Sequence, residues 1–405
     1  MVKDSNYVRT KPALSRAVDP RVWLLALGTF AVGTDANVIS GILNRMAADL
    51  HIGLNTAGTV VSVYSATYAV SAPVLAAITG RMPKHRVAIT ALIIFGIANA
   101  LCAVAPTYTL LLAARVLAGL AAGLFTPTAY VLAASLANPE RKGAALSVVA
   151  LGITGSIVLG VPIGIVIGTG LGWHATFWMI GLLSILASAV IAVWPPRHAM
   201  ASGPGPSIAQ RLLPLIHPML LLALLPTVIL CVGVQATYTY LGALLLAHHF
   251  TPGTAVTIFL MFGIGGLIGS QAGGRLVDRF GPTPVILIAL VVGVADTAAF
   301  AASLNTAGAI GATSFILSFV AWPVIVGQQR RLMKLSPSHG DVLLALNNSA
   351  IYVGVALGAA AGGMILRYGL GLDRIPLASS ALLALTCLVY CANLWLQSHR
   401  AGDPR

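Results

Sequence analysis

Apolar residues along this chain form long uninterrupted runs. Each run is close to the about 20 residues that an α-helix needs to cross the hydrocarbon core of a bilayer. The runs do not alternate between apolar and polar positions, as the strands of a membrane barrel would, so the pattern predicts helices. Twelve helices are expected, near residues 22–43, 56–79, 87–105, 108–136, 143–168, 174–194, 215–246, 254–273, 283–303, 306–328, 341–366 and 375–396.

Composition supports the same class of protein. The 405 residues are 58% hydrophobic and only 8% charged, whereas a soluble domain carries about 25% charged residues. The first run follows a basic segment, as a signal peptide would, but it is too long and no small-residue cleavage site follows it. We therefore expect an all-α, multi-pass membrane protein whose first helix is retained.

The basic residues predict the orientation. With the N-terminus in the cytoplasm, 19 of the 23 Lys and Arg fall in inner segments, three fall in outer loops, and one, Arg115, lies inside a helix. This bias is a strong positive-inside signal and predicts that both termini are cytoplasmic. The net charge of +13 then reflects topology and anionic lipid headgroups. Nucleic-acid binding is disfavoured because the basic residues are dispersed over many loops.

A segment rich in Pro, Gly and Ser divides the chain in two. We expect a cytoplasmic linker at residues 195–214, between a six-helix bundle at 22–194 and a second at 215–397. Residues 1–21 and 398–405 are predicted to be cytoplasmic tails. One chain thus contains both halves, which favours a monomer.

The two halves share glycine patterns at an offset of 194 residues, for example 354 minus 160. At this offset the sequence aligns Gly160, Gly164 and Gly168 with Gly354, Gly358 and Gly362, and Gly80-Arg81 with Gly274-Arg275. Six spans return the chain to the same side, so this is a parallel repeat, as found in alternating-access carriers. A glycine at every fourth residue lets another helix approach closely, and Pro162 marks a bend in the fifth helix. We expect a hinge there and in the eleventh helix, with tight static packing as the alternative.

Four longer motifs lie in or beside the predicted helices: "FAVGTDANVISGILNRMAADL" at 30–50, "ARVLAGLAAG" at 114–123, "PERKGAALSVVALGITGSIVLGVPIGIVIG" at 139–168 and "GGRLVDRFG" at 273–281. They resemble the major facilitator superfamily, within its drug/proton antiporter group, and in particular bacterial sugar, arabinose and chloramphenicol efflux permeases. The resemblance implies two six-helix bundles that transport a small molecule across the bacterial inner membrane by alternating access, without a cofactor. The loop from Gly80 to Arg86 departs from the general family pattern because it lacks the Asp and the second Gly.

Asp35 interrupts an apolar run. Intramembrane acids are costly and usually mark function, and only Asp35 and Asp296 fall well inside the predicted spans. A rise of about 1.5 Å per residue puts Asp35 roughly 20 Å from the inner end of its helix and Arg115 roughly 10 Å from the outer end of the fourth. These depths are similar in a core of about 30 Å. We therefore expect Asp35 and Arg115 to share one cavity and to interact directly or through water.

A carboxyl and a guanidinium in one cavity suit proton coupling. Burial disfavours a charged carboxyl and a nearby guanidinium favours it, so the balance changes as the cavity opens to either side. The resemblance implies this role too, since multidrug members use an acid of the first helix near this position. A fixed structural ion pair is the alternative. Asp296 is a weaker candidate, for which a partner within the seventh to ninth helices or an interface position is expected.

The sequence also offers candidates for the substrate cavity. Amphipathic rings and amides near mid-depth suit a neutral, ring-containing solute, although helix packing is the alternative for each residue. His248 and His249 lie in an outer loop without an acid or cysteine nearby in the sequence, so no metal site is expected. The cavity candidates are Asn37, Tyr64, Tyr68, Gln235, Tyr238, Trp322, Asn347 and Asn348.

The loops on the inner face are candidates for gating. Asp278 is expected near the start of the fifth helix, beside Arg141 and Lys142, where the helix dipole and the two cations favour a carboxylate. Such a contact would close the inner face; a solvated loop charge is the alternative. The residues assigned to gating are Gly80, Arg81, Arg86, Arg141, Lys142, Gly274, Arg275, Asp278 and Arg279.

Together these features predict a secondary active transporter that exports a small neutral or weakly charged compound, such as a drug or a sugar, in exchange for protons. An ATP pump is disfavoured because the chain lacks a phosphate-binding loop of the form Gly-x-x-x-x-Gly-Lys-Ser/Thr. An uptake symporter or a facilitative carrier is the main alternative. A membrane enzyme or a sensor is the least favoured, since the sequence shows no convergent catalytic or metal-binding cluster.

Overall fold

The computed structural model describes residues 18–194, 218–335 and 340–401. Within these ranges the chain is helical and contains no strand, and twelve helices are long and apolar enough to cross a membrane. The helices are α1 Pro20–Asp49, α2 Leu54–Ile78, α3 Lys84–Ala103, α4 Tyr108–Leu136, α5 Lys142–Gly170, α6 Trp173–Val193, α7 Pro218–Ala247, α8 Pro252–Phe280, α9 Pro282–Ser303, α10 Ala307–Leu335, α11 Gly340–Arg367 and α12 Arg374–Ala401.

The fold class is confirmed for the residues that the structure describes, which form an all-α, twelve-helix membrane protein of two six-helix bundles. The cytoplasmic location of both termini stays a prediction. Predicted spans match the helices to within a few residues at most ends. The predicted linker, most of the predicted N-terminal tail and half of the predicted C-terminal tail lie outside the described residues. The predicted C-terminal tail begins within α12, which continues to Ala401.

Local sequence explains where several helices begin. The Asp19 carboxylate accepts a hydrogen bond from the backbone N–H of Arg21, and Pro20 occupies the first position of α1. Thr251 accepts from the N–H of Thr254 at the start of α8, which also begins with a proline. Side-chain acceptors satisfy N–H groups that have no partner within the helix, and proline has no N–H to satisfy there.

The predicted gating loop after the eighth span is wrong. Gly274, Arg275, Asp278 and Arg279 lie within α8, which continues to Phe280. The helix ends only at Gly281, whose φ of 82° is in the left-handed region that favours glycine. The charges in this segment suggest a loop, but a helix that leaves the membrane keeps its backbone hydrogen bonds and exposes its charged side chains to water.

The internal repeat is present in the helices. Corresponding helices begin 198 residues apart for α2 and α8 (252 minus 54), and also for α3 and α9 (282 minus 84). The predicted glycine alignment uses an offset of 194, which is one helical turn less. A glycine at every fourth position matches itself after a four-residue shift, so glycines of α5 align with glycines of α11 at either offset.

Packing of the glycines is repeated in the two halves. A Cβ on Gly160 would meet Thr34 of α1, and one on Gly354 would meet Val228 of α7. Thr34 and Val228 are themselves 194 residues apart. These glycines lie where α5 crosses α1 and where α11 crosses α7, and each absent side chain lets the two helices approach closely.

The fifth helix is irregular near its middle, as Pro162 predicts. Residues Ser156–Gly160 form one turn of π-helix, and α-helix resumes at Val161. Pro162 lacks the N–H that an α-helical bond requires at its position, and the π turn ends two residues before it. The turn lies against α1 and α8.

The two bundles are joined at the end where α1 and α7 finish. The Ser62 hydroxyl donates to the carbonyl of Ala356 at 2.8 Å, and the Tyr238 hydroxyl donates to the carbonyl of Asn37 at 3.3 Å. Gly242 packs against the backbone of α1, where a Cβ would lie 2.4 Å from the Ser40 carbonyl oxygen. In the predicted orientation this joined end faces outward, so we call it the outer seal.

Candidate functional site

Asp35 and Arg115 form a direct ion pair between α1 and α4. One guanidinium nitrogen, Nη1, lies 2.7 Å from Asp35 Oδ1 and 2.8 Å from Oδ2. Both side chains are 0% exposed. Breaking such a pair by removing one partner is strongly destabilising, because an uncompensated charge would remain buried.

Residues from three further helices enclose this pair. The Arg115 guanidinium carbon lies 4.2 Å from the centre of the Tyr64 ring on α2 and 5.8 Å from that of Phe177 on α6. The thiol of Cys102, on α3, lies beside the guanidinium. Aromatic faces attract cations, and this attraction is stronger where water is excluded. The pair is thus held in the interior of the N-terminal bundle by contacts with five helices.

The guanidinium is not fully satisfied. Arg115 Nε and Nη2 are buried and have no hydrogen-bond partner among the described residues. Asp35 engages only Nη1. A buried donor without an acceptor carries a desolvation cost, so this arrangement is poorer than the two parallel hydrogen bonds that an arginine fork can make.

The geometry differs in one respect from expectation. We predicted a shared cavity, but the pair is packed within one bundle and neither side chain has exposed surface in this conformation. Asp35 is two positions from Asn37, which is about 200° around a straight helix. It therefore points into the bundle towards α4, away from the polar side of α1. The predicted direct interaction is present, whereas its accessibility depends on movement of the surrounding helices.

The cavity candidates of the N-terminal half occupy different surroundings. Tyr64 is buried against Arg115. The Asn37 amide nitrogen donates within α1 to the Gly33 carbonyl at 2.9 Å. Tyr68 is also buried, and its ring stacks on that of Tyr352 from α11, with centroids 3.6 Å apart and an interplanar angle of 17°.

In the C-terminal half, the candidates mostly make packing contacts. The Gln235 amide nitrogen donates to the Thr239 hydroxyl at 3.0 Å, and Tyr238 packs on Phe262 with ring centroids 4.4 Å apart. Asn347 is buried, with its amide oxygen 2.8 Å from the hydroxyl of Thr227.

Two of the cavity candidates are only half-buried. Trp322 is half-buried, and its indole nitrogen lies close to Gly266 of α8. Asn348 is half-buried beside Tyr68. Tyr352 is not among the sequence candidates, although its position one turn after Asn348 on α11 places it on the same helix face.

The Asp278 contact expected at the inner face is not formed. Asp278 instead pairs with Arg330 of α10, and both side chains are more than half exposed. The expected partners, Arg141 and Lys142, belong to the other bundle, whereas Arg330 belongs to the same bundle as Asp278. Gly80, Arg81 and Arg86 lie in or beside the short connection between α2 and α3.

Two further acids correct the sequence interpretation. Asp296 of α9 is 7% exposed, and its Oδ2 has no hydrogen-bond partner among the described residues, so the expected partner is absent for that atom.

His248 does have an acidic neighbour: its Nε2 lies 2.8 Å from Asp373 Oδ1. Those residues are 125 positions apart, so proximity in sequence could not reveal the contact. The described residues contain no cluster of three or more metal-ligating side chains.

Twelve helices that are long and apolar enough to cross a membrane, in two bundles with a charge pair buried between α1 and α4, define a polytopic membrane protein. A family model described as Major Facilitator Superfamily matches residues 25–359, so the chain belongs to the major facilitator superfamily. Members of this family are transporters, and the chain is accordingly a membrane transporter and not an enzyme.

Related sequences extend over almost the whole chain. An uncharacterized MFS-type transporter of Bacillus subtilis, YbcL, is 33% identical over 89% of this chain and 90% of its own length. A chloramphenicol resistance protein of Streptomyces lividans is 30% identical over 91% of this chain and 94% of its own length. A probable sugar efflux transporter of Mannheimia succiniciproducens is 25% identical over 91% and 92%, respectively.

Solved structures share the fold at low sequence identity. The nucleoside transporter NupG, in a mutant form, superposes with a TM-score of 0.76 and 12% identity, covering 92% of this chain and 99% of that one. A bacterial homologue of the lysosomal transporter Spinster, in an inward-facing and unoccupied conformation, gives a TM-score of 0.72 with 15% identity, covering 93% and 98%.

Proposed function

We propose that this protein exports a small neutral or weakly charged compound across the bacterial inner membrane in exchange for protons. Asp35 is the proton-binding group and Arg115 its partner. The observation that carries the proposal is their direct contact at mid-depth, with no exposed surface on either side chain. An intramembrane acid paired with an arginine is costly to keep and is found mainly where charge movement is part of function.

Protonation of Asp35 would alter the packing around Arg115. A proton neutralises the carboxyl, so the attraction between opposite charges is lost and Arg115 keeps its contacts with Tyr64, Phe177 and Cys102. Because five helices meet at the ion pair, loss of the attraction between Asp35 and Arg115 can favour a different arrangement of the N-terminal bundle. The formed ion pair fits the stage of the cycle after the proton has left.

The outer seal is closed, which agrees with the stage of the cycle after the proton has left Asp35. Contacts from Ser62 to Ala356 and from Tyr238 to Asn37 hold the outer end closed, as expected of a carrier that is ready to receive a solute from the inside. We propose that Asp278 exchanges Arg330 for the start of α5 when the inner end closes. The glycine contacts of α5 with α1 and of α11 with α7, including Gly160 and Gly358, permit the helices to move during this change.

Movement of one proton across the membrane releases enough free energy to drive export against a concentration gradient. One charge that moves through 100 mV releases about 2.3 kcal/mol, and a tenfold concentration gradient costs about 1.4 kcal/mol. One proton can therefore drive roughly one to two decades of solute gradient. Export, as opposed to uptake, is supported by relatives named for chloramphenicol resistance and sugar efflux. Uptake by proton symport and facilitated diffusion are the alternatives.

The test is transport into inverted membrane vesicles under an imposed pH gradient, screened against sugars, nucleosides and phenicol-type drugs. Asp35→Asn should abolish proton-driven accumulation of the transported compound. The matched control is Asp49→Asn, on the same helix, because the Asp49 side chain is 56% exposed at the outer end. Wild-type accumulation by Asp35→Asn would reject the coupling role, and unchanged accumulation after collapse of the gradient would favour facilitated diffusion.

A further inference from the structure

The stacked rings of Tyr68 and Tyr352 connect the two bundles at mid-depth. They belong to α2 and α11, one from each half, and their centroids are 3.6 Å apart. Along the same two helices, Gly58 packs against Ala359 and Ser62 bonds to Ala356. The ring pair follows these contacts in the direction away from the outer seal. A solute that arrives from the inner side therefore meets these rings before it meets the rest of the seal.

Polar groups without partners surround this ring pair. The Tyr68 hydroxyl lies beside the side chains of Thr126, Asn348 and Tyr352 but forms no well-aligned hydrogen bond with any of them. The Thr126 hydroxyl is likewise buried without a hydrogen-bond partner. Buried polar groups are normally paired, because a donor or acceptor that is stripped of water and left unmatched is costly. A ligand that supplied the missing partners would remove this cost.

We propose that Tyr68, Thr126, Asn348 and Tyr352 form the solute-binding site, here named the tyrosine site. Its ligand has a flat apolar face that packs on a tyrosine ring and a hydroxyl or amide group at its edge. The four side chains are uncharged, which fits a neutral solute. Two kinds of compound share this chemistry: an aromatic alcohol or amide, and a sugar whose C–H face covers the ring.

This inference rests on the proposed transport function and names the site at which the solute is recognised. The ring pair belongs to two different bundles, so it must separate when the outer end opens. A solute held against one ring would then face the outside. Tyr64, one turn before Tyr68 on α2, packs on Arg115, so the site is also one helical turn from a residue that touches the ion pair.

The experiment measures binding to the purified full-length protein in detergent, at fixed pH and without a gradient, by calorimetry. Chloramphenicol tests whether the site binds an aromatic alcohol or amide, and L-arabinose tests whether it binds a sugar. The wild-type protein should bind at least one of them. Tyr352→Leu should weaken that binding about tenfold, since it removes the ring but keeps an apolar side chain. Tyr352→Phe should retain the affinity.

Two further variants complete the design. Thr126→Val removes the hydroxyl at nearly constant volume, leaves the ring pair intact and should also weaken binding. Tyr368→Leu is the matched control, because Tyr368 directly follows the end of α11 and has 78% of its surface exposed. This variant should bind the probe as the wild type does.

The outcomes separate this inference from the transport mechanism. Binding of neither probe by the wild-type protein overturns the proposed ligand class. Unchanged affinity in both Tyr352→Leu and Thr126→Val overturns the location of the site. Asp35→Asn should still bind the probe, since the binding assay does not depend on proton movement. Loss of coupling in the vesicle assay with normal binding here would be the expected pattern for that variant.

Discussion

Removal of one member of the Asp35–Arg115 pair should have a much larger effect on stability than removal of both. Both side chains are fully buried, so Arg115→Leu leaves a carboxylate without its counter-charge and Asp35→Leu leaves a guanidinium. Loss of one partner of a buried pair typically costs about 3–5 kcal/mol. The double variant removes both charges and replaces them with apolar side chains, and such replacements are often neutral or stabilising.

The expected result is therefore non-additive. Each single variant should lose about 3–5 kcal/mol in the free energy of unfolding, and the double variant should recover most of this loss. The stability of Arg115→Leu should also increase as the pH falls, because a proton on Asp35 removes the uncompensated charge. The stability of Asp35→Leu should not increase in this way, because its remaining charge is a guanidinium that stays protonated throughout.

The assay is reversible unfolding in mixed micelles, together with proton-driven transport in proteoliposomes. If the pair serves coupling, the double variant will be stable but unable to accumulate solute against a gradient. A double variant that is as unstable as the single variants would refute the argument from burial. A stable double variant with wild-type coupling would show that the pair is not part of proton transfer.

Three further outcomes follow from individual contacts. Tyr64→Leu should lose about 2 kcal/mol of stability through its desolvated contact with Arg115, whereas Tyr64→Phe keeps the ring and should lose less; equal losses in the unfolding assay would contradict the cation–π contact. Gly358→Ala should slow transport because its Cβ would lie 2.6 Å from the Val232 carbonyl oxygen, while Gly143→Ala, with no neighbouring atom within 4 Å, should leave the transport rate unchanged. Asp278→Asn should change stability by less than about 1 kcal/mol, since its pair with Arg330 is exposed, but it should shift the inward–outward balance in a cysteine-accessibility assay; an unaltered balance would refute the latch.

The candidate site could be predicted in part. Depth along two helices was enough to bring Asp35 and Arg115 to one level, since a helix has a constant rise per residue. The surroundings of the pair could not be predicted in the same way. Tyr64, Phe177 and Cys102 come from helices whose rotation about their own axes is set by packing, and their apolar sequences have little periodicity to reveal which side faces inward.

The ion pair of Asp278 with Arg330 shows a second limit of prediction from the sequence. Sequence and family resemblance suggested a contact between the two halves, and the structure has one within a half. A transporter alternates between at least two arrangements, and a single sequence encodes all of them. The partner of a gating residue therefore depends on the conformation, which no local pattern specifies.

The amino-acid sequence by itself determined the helical class, the number of spans, the two-fold repeat and the presence of a buried acid and a buried arginine. These properties follow from the length of the apolar runs and from the cost of placing charge in hydrocarbon. Tertiary structure alone decided the burial of the ion pair inside one bundle and the stacking of Tyr68 on Tyr352. Those features depend on how helices rotate and slide against one another, and close packing of side chains from distant parts of the chain sets that arrangement.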